Sequence, residues 1–358
     1  MYRLAVNLMI IMVFAIPCYA GPTTYQDVLD TPATKSLIAD KTLLNGVTFT
    51  GKRLISVGWR GHIVFSDDQG KRWIQASVPV SCDLTAVYFP SPQRGWAVGH
   101  DGVVLHSSDG GVTWVKQLDG RTAAQIMFQY YNSAPKNLPG QTITNLMEEV
   151  KRFVQEGPDK PFLDVWFKND EVGFIVGAFN LIFRTSNGGK SWEPWFDRTD
   201  NPERLHLYSI KNIDQDLFIA GEQGIVLKLD QKLDRFRRIK TPYKGTFFGI
   251  AGKKGLLTAF GLRGNIFYSL DLGNNWQKME TGILVGLTGA TVTGDGKVVL
   301  VSQEGHVISI SNGEKKLEVA KIESHFPAAA VTSLDSNALV LAGPLGVQIV
   351  PIKEKKEN

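Results

Sequence analysis

Gly95-Trp96-Ala97-Val98-Gly99-His100-Asp101-Gly102-Val103-Val104-Leu105-His106-Ser107-Ser108-Asp109-Gly110-Gly111-Val112-Thr113-Trp114 reads as two short strands and two tight turns. Trp96 to Val98 and Val103 to His106 are runs of β-branched and aromatic residues bounded by glycine, the pattern of buried strands. The same order returns along the chain. The glycine that opens the first turn recurs as Gly58, Gly99, Gly177, Gly221 and Gly261, then as Ser302, then as Gly343. Successive spacings are 41, 78, 44, 40, 41 and 41 residues, one period doubled once by an insertion. Seven four-stranded units at this period predict an all-β fold, a seven-bladed β-propeller over residues 43–352 with a helical insertion between blades 2 and 3.

Leu84 to Phe89, Leu207 to Ile210 and Phe247 to Ile250 are first strands of their units. Being apolar almost throughout, they predict inner strands buried on both faces. The last unit supplies only Val331 to Leu334, Ala338 to Leu341 and Val347 to Ile352. An unpaired outer edge leaves backbone groups bare. Residues 21–42 are therefore expected to close the ring, with Tyr25 to Asp30 as the missing strand.

The turn between third and fourth strands has a motif of its own, Ser/Thr-x-Asp-x-Gly-x-x-Trp. It reads Ser66, Asp68, Gly70, Trp73; Ser107, Asp109, Gly111, Trp114; and Ser269, Asp271, Gly273, Trp276. The third unit has Thr185, Asn187, Gly189 and Trp192, with an amide for the carboxylate. A short Asp or Asn accepts backbone N–H bonds in a turn, glycine takes the positive φ, and tryptophan buries a large ring between blades. These carboxylates are expected to be structural. Later units lose the motif.

Such units resemble the Asp-box of bacterial-neuraminidase-type repeats, and the whole chain resembles the photosystem II stability/assembly factor family. The closest pieces are Arg53-Leu54-Ile55-Ser56-Val57-Gly58-Trp59-Arg60-Gly61-His62-Ile63 and Gly95 to Gly102. The resemblance implies a non-catalytic module for assembling a membrane-protein complex. Plastid members carry a twin-arginine transit signal and cyanobacterial members a lipoprotein cysteine; this chain shows neither and looks like the relatives of non-photosynthetic proteobacteria. For those, the family implies a transporter of the resistance-nodulation-division (RND) superfamily as partner.

Arg3, the apolar run Leu4 to Ile16 and the small residue Ala20 read as a secretory signal peptide cleaved after about Ala20, and a periplasmic location follows. An uncleaved anchor is the alternative, but the run is shorter than a bilayer span needs. Residues 353–358 form a polar tail. Beyond the leader the chain has one cysteine, Cys82, which predicts a buried apolar residue and no internal disulfide. The net charge of +4 is dispersed and gives no warrant for nucleic-acid binding.

The insertion, about residues 121–160, is expected to be helical. Ala123 to Tyr131 is rich in helix formers, and Ile143, Leu146, Met147, Val150, Phe153 and Val154 fall at helical spacing. It rises on the rim that carries the Gly-x-x-Gly turns, either as a cap on its own propeller or as a docking lid with Phe128, Tyr130 and Tyr131 as anchors. On the same rim Trp59, Arg60, His100, Asp101 and Arg263 are the leading partner-binding candidates; the alternative is that such turn charges pair with neighbouring blades or simply face water.

The catalytic alternative is a sialidase-like glycoside hydrolase. It needs three arginines, a tyrosine and glutamate pair and an acid on the central face, and no spacing marks that set. His62, His100, His106, His206, His306 and His325 are dispersed, which argues against a metal site. No phosphate-binding loop or redox cysteine pair implies a cofactor.

Overall fold

A computed structural model describes residues 26–133, 143–312 and 317–352. The expected signal peptide at residues 1–20, Tyr25 and the tail 353–358 lie outside the described residues. Seven antiparallel sheets follow one another along the chain, spanning 44–75, 84–118, 162–194, 207–239, 247–279, 287–323 and 330–351. The chain forms a seven-bladed β-propeller. Among the described residues six blades have four strands in sequential order and the seventh has three.

Burial is organised by interface rather than around one centre. Ile55, Val57, Leu105 and Trp114 share a buried cluster between blades 1 and 2. Trp96, Phe162, Phe167 and Trp192 do so between blades 2 and 3, and Ala39, Leu44, Val64 and Ala342 between blades 7 and 1. Trp96, from the opening stretch, stacks on Phe167 of the next blade at 3.6 Å between ring centroids, and its indole donates to Gln117 Oε1. A fully buried aromatic side chain of this kind contributes roughly 2–3 kcal/mol. The motif tryptophans occupy equivalent places against the preceding blade.

The four Ser/Thr-x-Asp/Asn turns are alike. In the second, Ser107 Oγ donates to Asp109 Oδ1 at 2.8 Å while accepting from Gly111 N, and Asp109 accepts from Val112 N and Thr113 N. In the fifth blade Asp271 accepts from Asn275 Nδ2 and Asn275 N, which hold its carboxyl down at about 2. The carboxylates are occupied by turn donors.

Two expectations are corrected. First strands are not buried on both faces: several of their residues are only half-buried, as in Leu44–Phe49 and Leu207–Ile213, because the first strands line an axial channel. And the described part of the expected strand Tyr25 to Asp30, residues 26–30, supplies no strand to blade 7. The segment runs instead along blades 1 and 2: Ser81 N donates to Val28 O, Ala33 N to Val78 O, and Leu29 enters the blade 1–2 cluster. Closure rests on packing of blade 7 against blade 1, where Ala39 is inserted beside Leu44 and Ala342.

The insertion forms two helices, α1 (Gly120–Ser133) and α2 (Ile143–Glu156). Their apolar faces, Ala123, Met127, Tyr131, Leu146, Val150 and Phe153, join the blade 2–3 cluster. Residues 134–142, between them, lie outside the described residues.

Candidate functional site at the glycine-turn rim and channel mouth

The Gly-x-x-Gly turns share one geometry. Their first amide donates to the carbonyl just before the blade's first strand: Trp59 N to Leu43 O, His100 N to Asp83 O, Ala178 N to Pro161 O, Glu222 N to His206 O and Leu262 N to Thr246 O. Those incoming segments and the turns therefore lie on one rim. The third residue of each turn takes a left-handed conformation (Arg60, Asp101, Phe179, Gln223, Arg263), which lifts its side chain away from the sheet.

Asp83 ties two of the sequence candidates, Arg60 and His100, together. Its carboxylate accepts from Arg60 N at 2.8 Å and its carbonyl from His100 N at 2.8 Å, so the turns of blades 1 and 2 are tied together. Trp59 is exposed with the Arg60 guanidinium 4.5 Å from its ring centroid. Burial, partly offset by His100, pushes the Asp101 carboxyl up. Arg263 is exposed on blade 5 and does not join this group.

The insertion divides the three aromatic candidates. Phe128 is 38% exposed. Tyr130 is half-buried, its hydroxyl donating to Glu193 Oε1 at 3.0 Å and accepting from Arg198 Nη2. Tyr131 is corrected: only 1% exposed, it belongs to the blade 2–3 core and donates to Asp197 Oδ1 at 2.7 Å. A helical period of four buries it together with Met127, so it cannot serve as a surface anchor.

Sequence reasoning missed an apolar arc over blades 3 to 5. In blades 1 to 6 a β-bulge near the start of the first strand leaves one residue unpaired: Asn45, Thr85, Leu163, Tyr208, Phe248 and Thr288. Bulges re-aim side chains, and all six line the axial channel, a cavity of about 370 Å³. Asn45, Thr85 and Thr288 donate to backbone carbonyls of the next blade. Leu163, Tyr208 and Phe248 have no such outlet. Rings continue from Tyr208 to Phe248 at 5.6 Å, and outward through His206 to Phe179, 43% exposed on the rim. Leu262 and Leu284, 41% and 83% exposed, stand on the same rim. Phe179 was legible as a middle residue of its turn; the bulged residues were not, because a one-residue slip leaves no mark in an apolar run.

Deeper in the channel, Asp164 accepts from Val165 N, Ile210 N and Lys211 Nζ, the last at 2.6 Å. Among the described residues lining the channel there is no arginine and no glutamate. No group of three His, Cys, Asp or Glu is placed to hold a metal ion among the described residues, and none of the described helices is long and apolar enough to cross a membrane. Cys82 is buried, and burial pushes its thiol up to about 12.

The family model of the photosynthesis system II assembly factor YCF48 matches residues 145–321, just under half of the chain. Solved structures with the same fold include YCF48 bound to a D1 peptide, with a TM-score of 0.60 at 14% identity, covering 88% of this chain and 94% of that one. YCF48 from Cyanidioschyzon merolae gives a TM-score of 0.60 at 15% identity, covering 86% and 95%. The chain is a seven-bladed propeller similar to the photosystem II assembly factors. It is 26% identical over 152 residues to the photosystem II assembly lipoprotein Ycf48 of Synechococcus sp. (strain CC9902), covering 40% of this chain and 44% of that protein. To the chloroplastic photosystem II stability/assembly factor HCF136 of Arabidopsis thaliana it is 29% identical over 86 residues, 24% of this chain and 21% of that protein. These matches span less than half the length of either curated relative. WD40 propellers, such as that of Doa1 with a TM-score of 0.59 at 11% identity, share the fold alone.

Proposed function

We propose that this assembly factor-like propeller is an exported, non-catalytic binding module that docks a membrane-protein partner on its glycine-turn rim. The observation that carries the reading is the chain of rings from Phe179, exposed on the rim, through His206 and Tyr208 to Phe248 in the channel, with Leu262 and Leu284 exposed on the same rim. Exposed aromatic and aliphatic side chains in contiguous array mark interaction sites. Trp59, Arg60, His100 and Asp101 form a second, polar contact region on the same rim. A solved relative binds a peptide of D1 and a curated relative is a lipoprotein, which supports a membrane-protein partner and export from the cytoplasm. Periplasmic location and an RND-superfamily transporter are the first setting and partner to test. The hydrolase alternative finds no support in a channel whose carboxylate, Asp164, is already held by three donors.

The test is affinity purification of the tagged protein from solubilised membranes of the source organism. Phe179→Ala with Leu262→Ala is expected to reduce recovery of the partner about tenfold, since interface anchors typically cost upwards of 1 kcal/mol when truncated. Leu270→Ala, exposed on the opposite rim, should leave recovery unchanged. Undiminished recovery with the double variant would overturn the docking assignment. A glycan-hydrolysing activity with no membrane partner would favour the alternative.

A further inference from the structure

Blade 7 ends at its third strand, Gly346–Pro351, and among the described residues no strand pairs with the outer side of it. The register fixes which backbone groups are left. Ile352 N donates to Asn337 O, so Gln348 and Val350 also turn their groups inward to the second strand, Ala338–Gly343, and Val347, Ile349 and Pro351 turn theirs outward. Two N–H and three C=O groups thus stand in a row, and Pro351, which has no N–H, ends it.

An exposed sheet edge is ordinarily blunted by charge or by shortness. The outer strands of blades 2 to 6 each carry a charged residue (Lys116, Glu193, Arg235, Lys278 and Lys321), and that of blade 1, Ile74–Gln75, is two residues long. Gly346–Pro351 has six residues and no charge. Ile349 is 38% exposed along it, and Leu345 is 62% exposed at its rim end. Because the blades on either side each add a fourth strand, this edge lies one strand spacing, about 4.8 Å, behind theirs. Such a recess admits one extended segment. Two copies of this chain brought edge to edge would leave their strands roughly two spacings apart, out of hydrogen-bonding reach.

The other blades show what such a segment brings. In blades 1 to 5 the register sets an aromatic ring, Trp73, Trp114, Trp192, Phe236 or Trp276, opposite the third-strand residue that corresponds to Val350. These rings pack toward the preceding blade, as Trp114 does in the cluster of Ile55, Phe65 and Ala76. Val350 clusters with Val299 of blade 6, and among the described residues no ring stands opposite it.

We infer that the open edge of blade 7 binds an extended segment of another protein, added antiparallel as a fourth strand, with an aromatic residue seated opposite Val350 against blade 6. Main-chain bonds to Val347 and Ile349 supply affinity, and the aromatic seat supplies specificity. The edge lies on the outer side of the ring, apart from the rim docking reading, and survives its failure.

The probe is a capped, fluorescently labelled peptide with the sequence of the chain's own blade 5 strand, residues 274–281, titrated into the full chain and followed by anisotropy. Saturable binding is expected, with amide exchange in Gly346–Pro351 slowed only when the peptide is present. N-methylation of the peptide at Gln277, whose N–H faces Ile349, is expected to weaken binding at least about tenfold, and at Lys278, whose N–H points away, less than about threefold. Trp276→Ser in the peptide should weaken it about tenfold. In the protein, Ile349→Pro removes an edge donor without touching the inner ladder and should abolish binding, with thermal unfolding showing that the blade stands; the peptide series decides the matter if that variant does not fold. Absence of saturable binding, or equal binding of the two N-methylated peptides, overturns the proposal. Slow exchange at this strand without peptide would give the edge to a segment of this chain, and a concentration-dependent dimer lost on Ile349→Pro would give it to a second copy; either result overturns the proposal as well.

Discussion

Gly99 shows how much of this fold is decided by single backbone contacts. Its φ is extended, so any residue could adopt the conformation; the constraint is proximity. A Cβ there would sit 2.2 Å from Asp83 O and 2.8 Å from Leu84 Cα, and the His100 N to Asp83 O bond of 2.8 Å keeps the segment from retreating. Where the sixth blade puts Ser302 in that position, the equivalent bond, Gln303 N to Gly286 O, measures 3.2 Å. Gly99→Ala is therefore expected to destabilise the protein by about 3 kcal/mol, the range of overpacking against backbone. Gly51 differs: its φ of +85° disfavours a side chain, but nothing lies within 4 Å. Gly51→Ala should cost only about 1 kcal/mol, the penalty for a left-handed conformation. Urea unfolding midpoints of the two variants check the contrast, and equal losses would refute the contact argument. The sequence shows both glycines alike; only the incoming strand, remote in sequence, distinguishes them.

At the scale of elements, what was legible follows from period. The helices expected from Ala123 to Tyr131 and from Ile143 to Val154 occur as Gly120–Ser133 and Ile143–Glu156, since an amphipathic repeat of 3.6 survives any tertiary context. Their destination was not legible: a helical stripe states that something is covered and does not say what. The structure shows the stripe sharing one core with Trp96, Phe162 and Phe196. Leu146, fully buried there, gives the test. If the hairpin is part of the propeller core, Leu146→Ala lowers the global unfolding free energy by about 2–4 kcal/mol in a single cooperative transition. If it were a separable lid, circular dichroism would show an early helical loss before an unchanged β transition. The first result is expected. The bulged residues mark the opposite limit, since Tyr208 and Phe248 lie in runs whose neighbours are equally apolar and only the broken register reveals where they point.

The whole ring was legible because seven units at one period leave few alternatives, yet its closure was not. The sequence argument holds that an open blade needs a fourth strand; in the structure, burial between blades 7 and 1 does the joining, and the N-terminal segment acts one blade away. That segment is fastened twice. Leu29, 1% exposed, packs with Ile55, Val80 and Trp114, while Asp30 sits between Lys116 Nζ at 3.1 Å and Arg121 Nη1 at 2.8 Å. The ion pairs are largely exposed and contribute little. The leucine carries the attachment, and its removal leaves a cavity between two blades at a cost of about 2–4 kcal/mol. Truncation through residue 35 is accordingly expected to lower stability by at least that amount, with Leu29→Ala reproducing most of the loss and Asp30→Asn little of it. Such a truncation leaves Ala39 in place, so the blade 7–1 seam stays filled and the loss should register at the blade 1–2 interface, as faster amide exchange at Ile55 and Leu105. Exchange confined to blade 7 would mean instead that the segment closes the ring, and an unchanged unfolding midpoint would mean that it does neither.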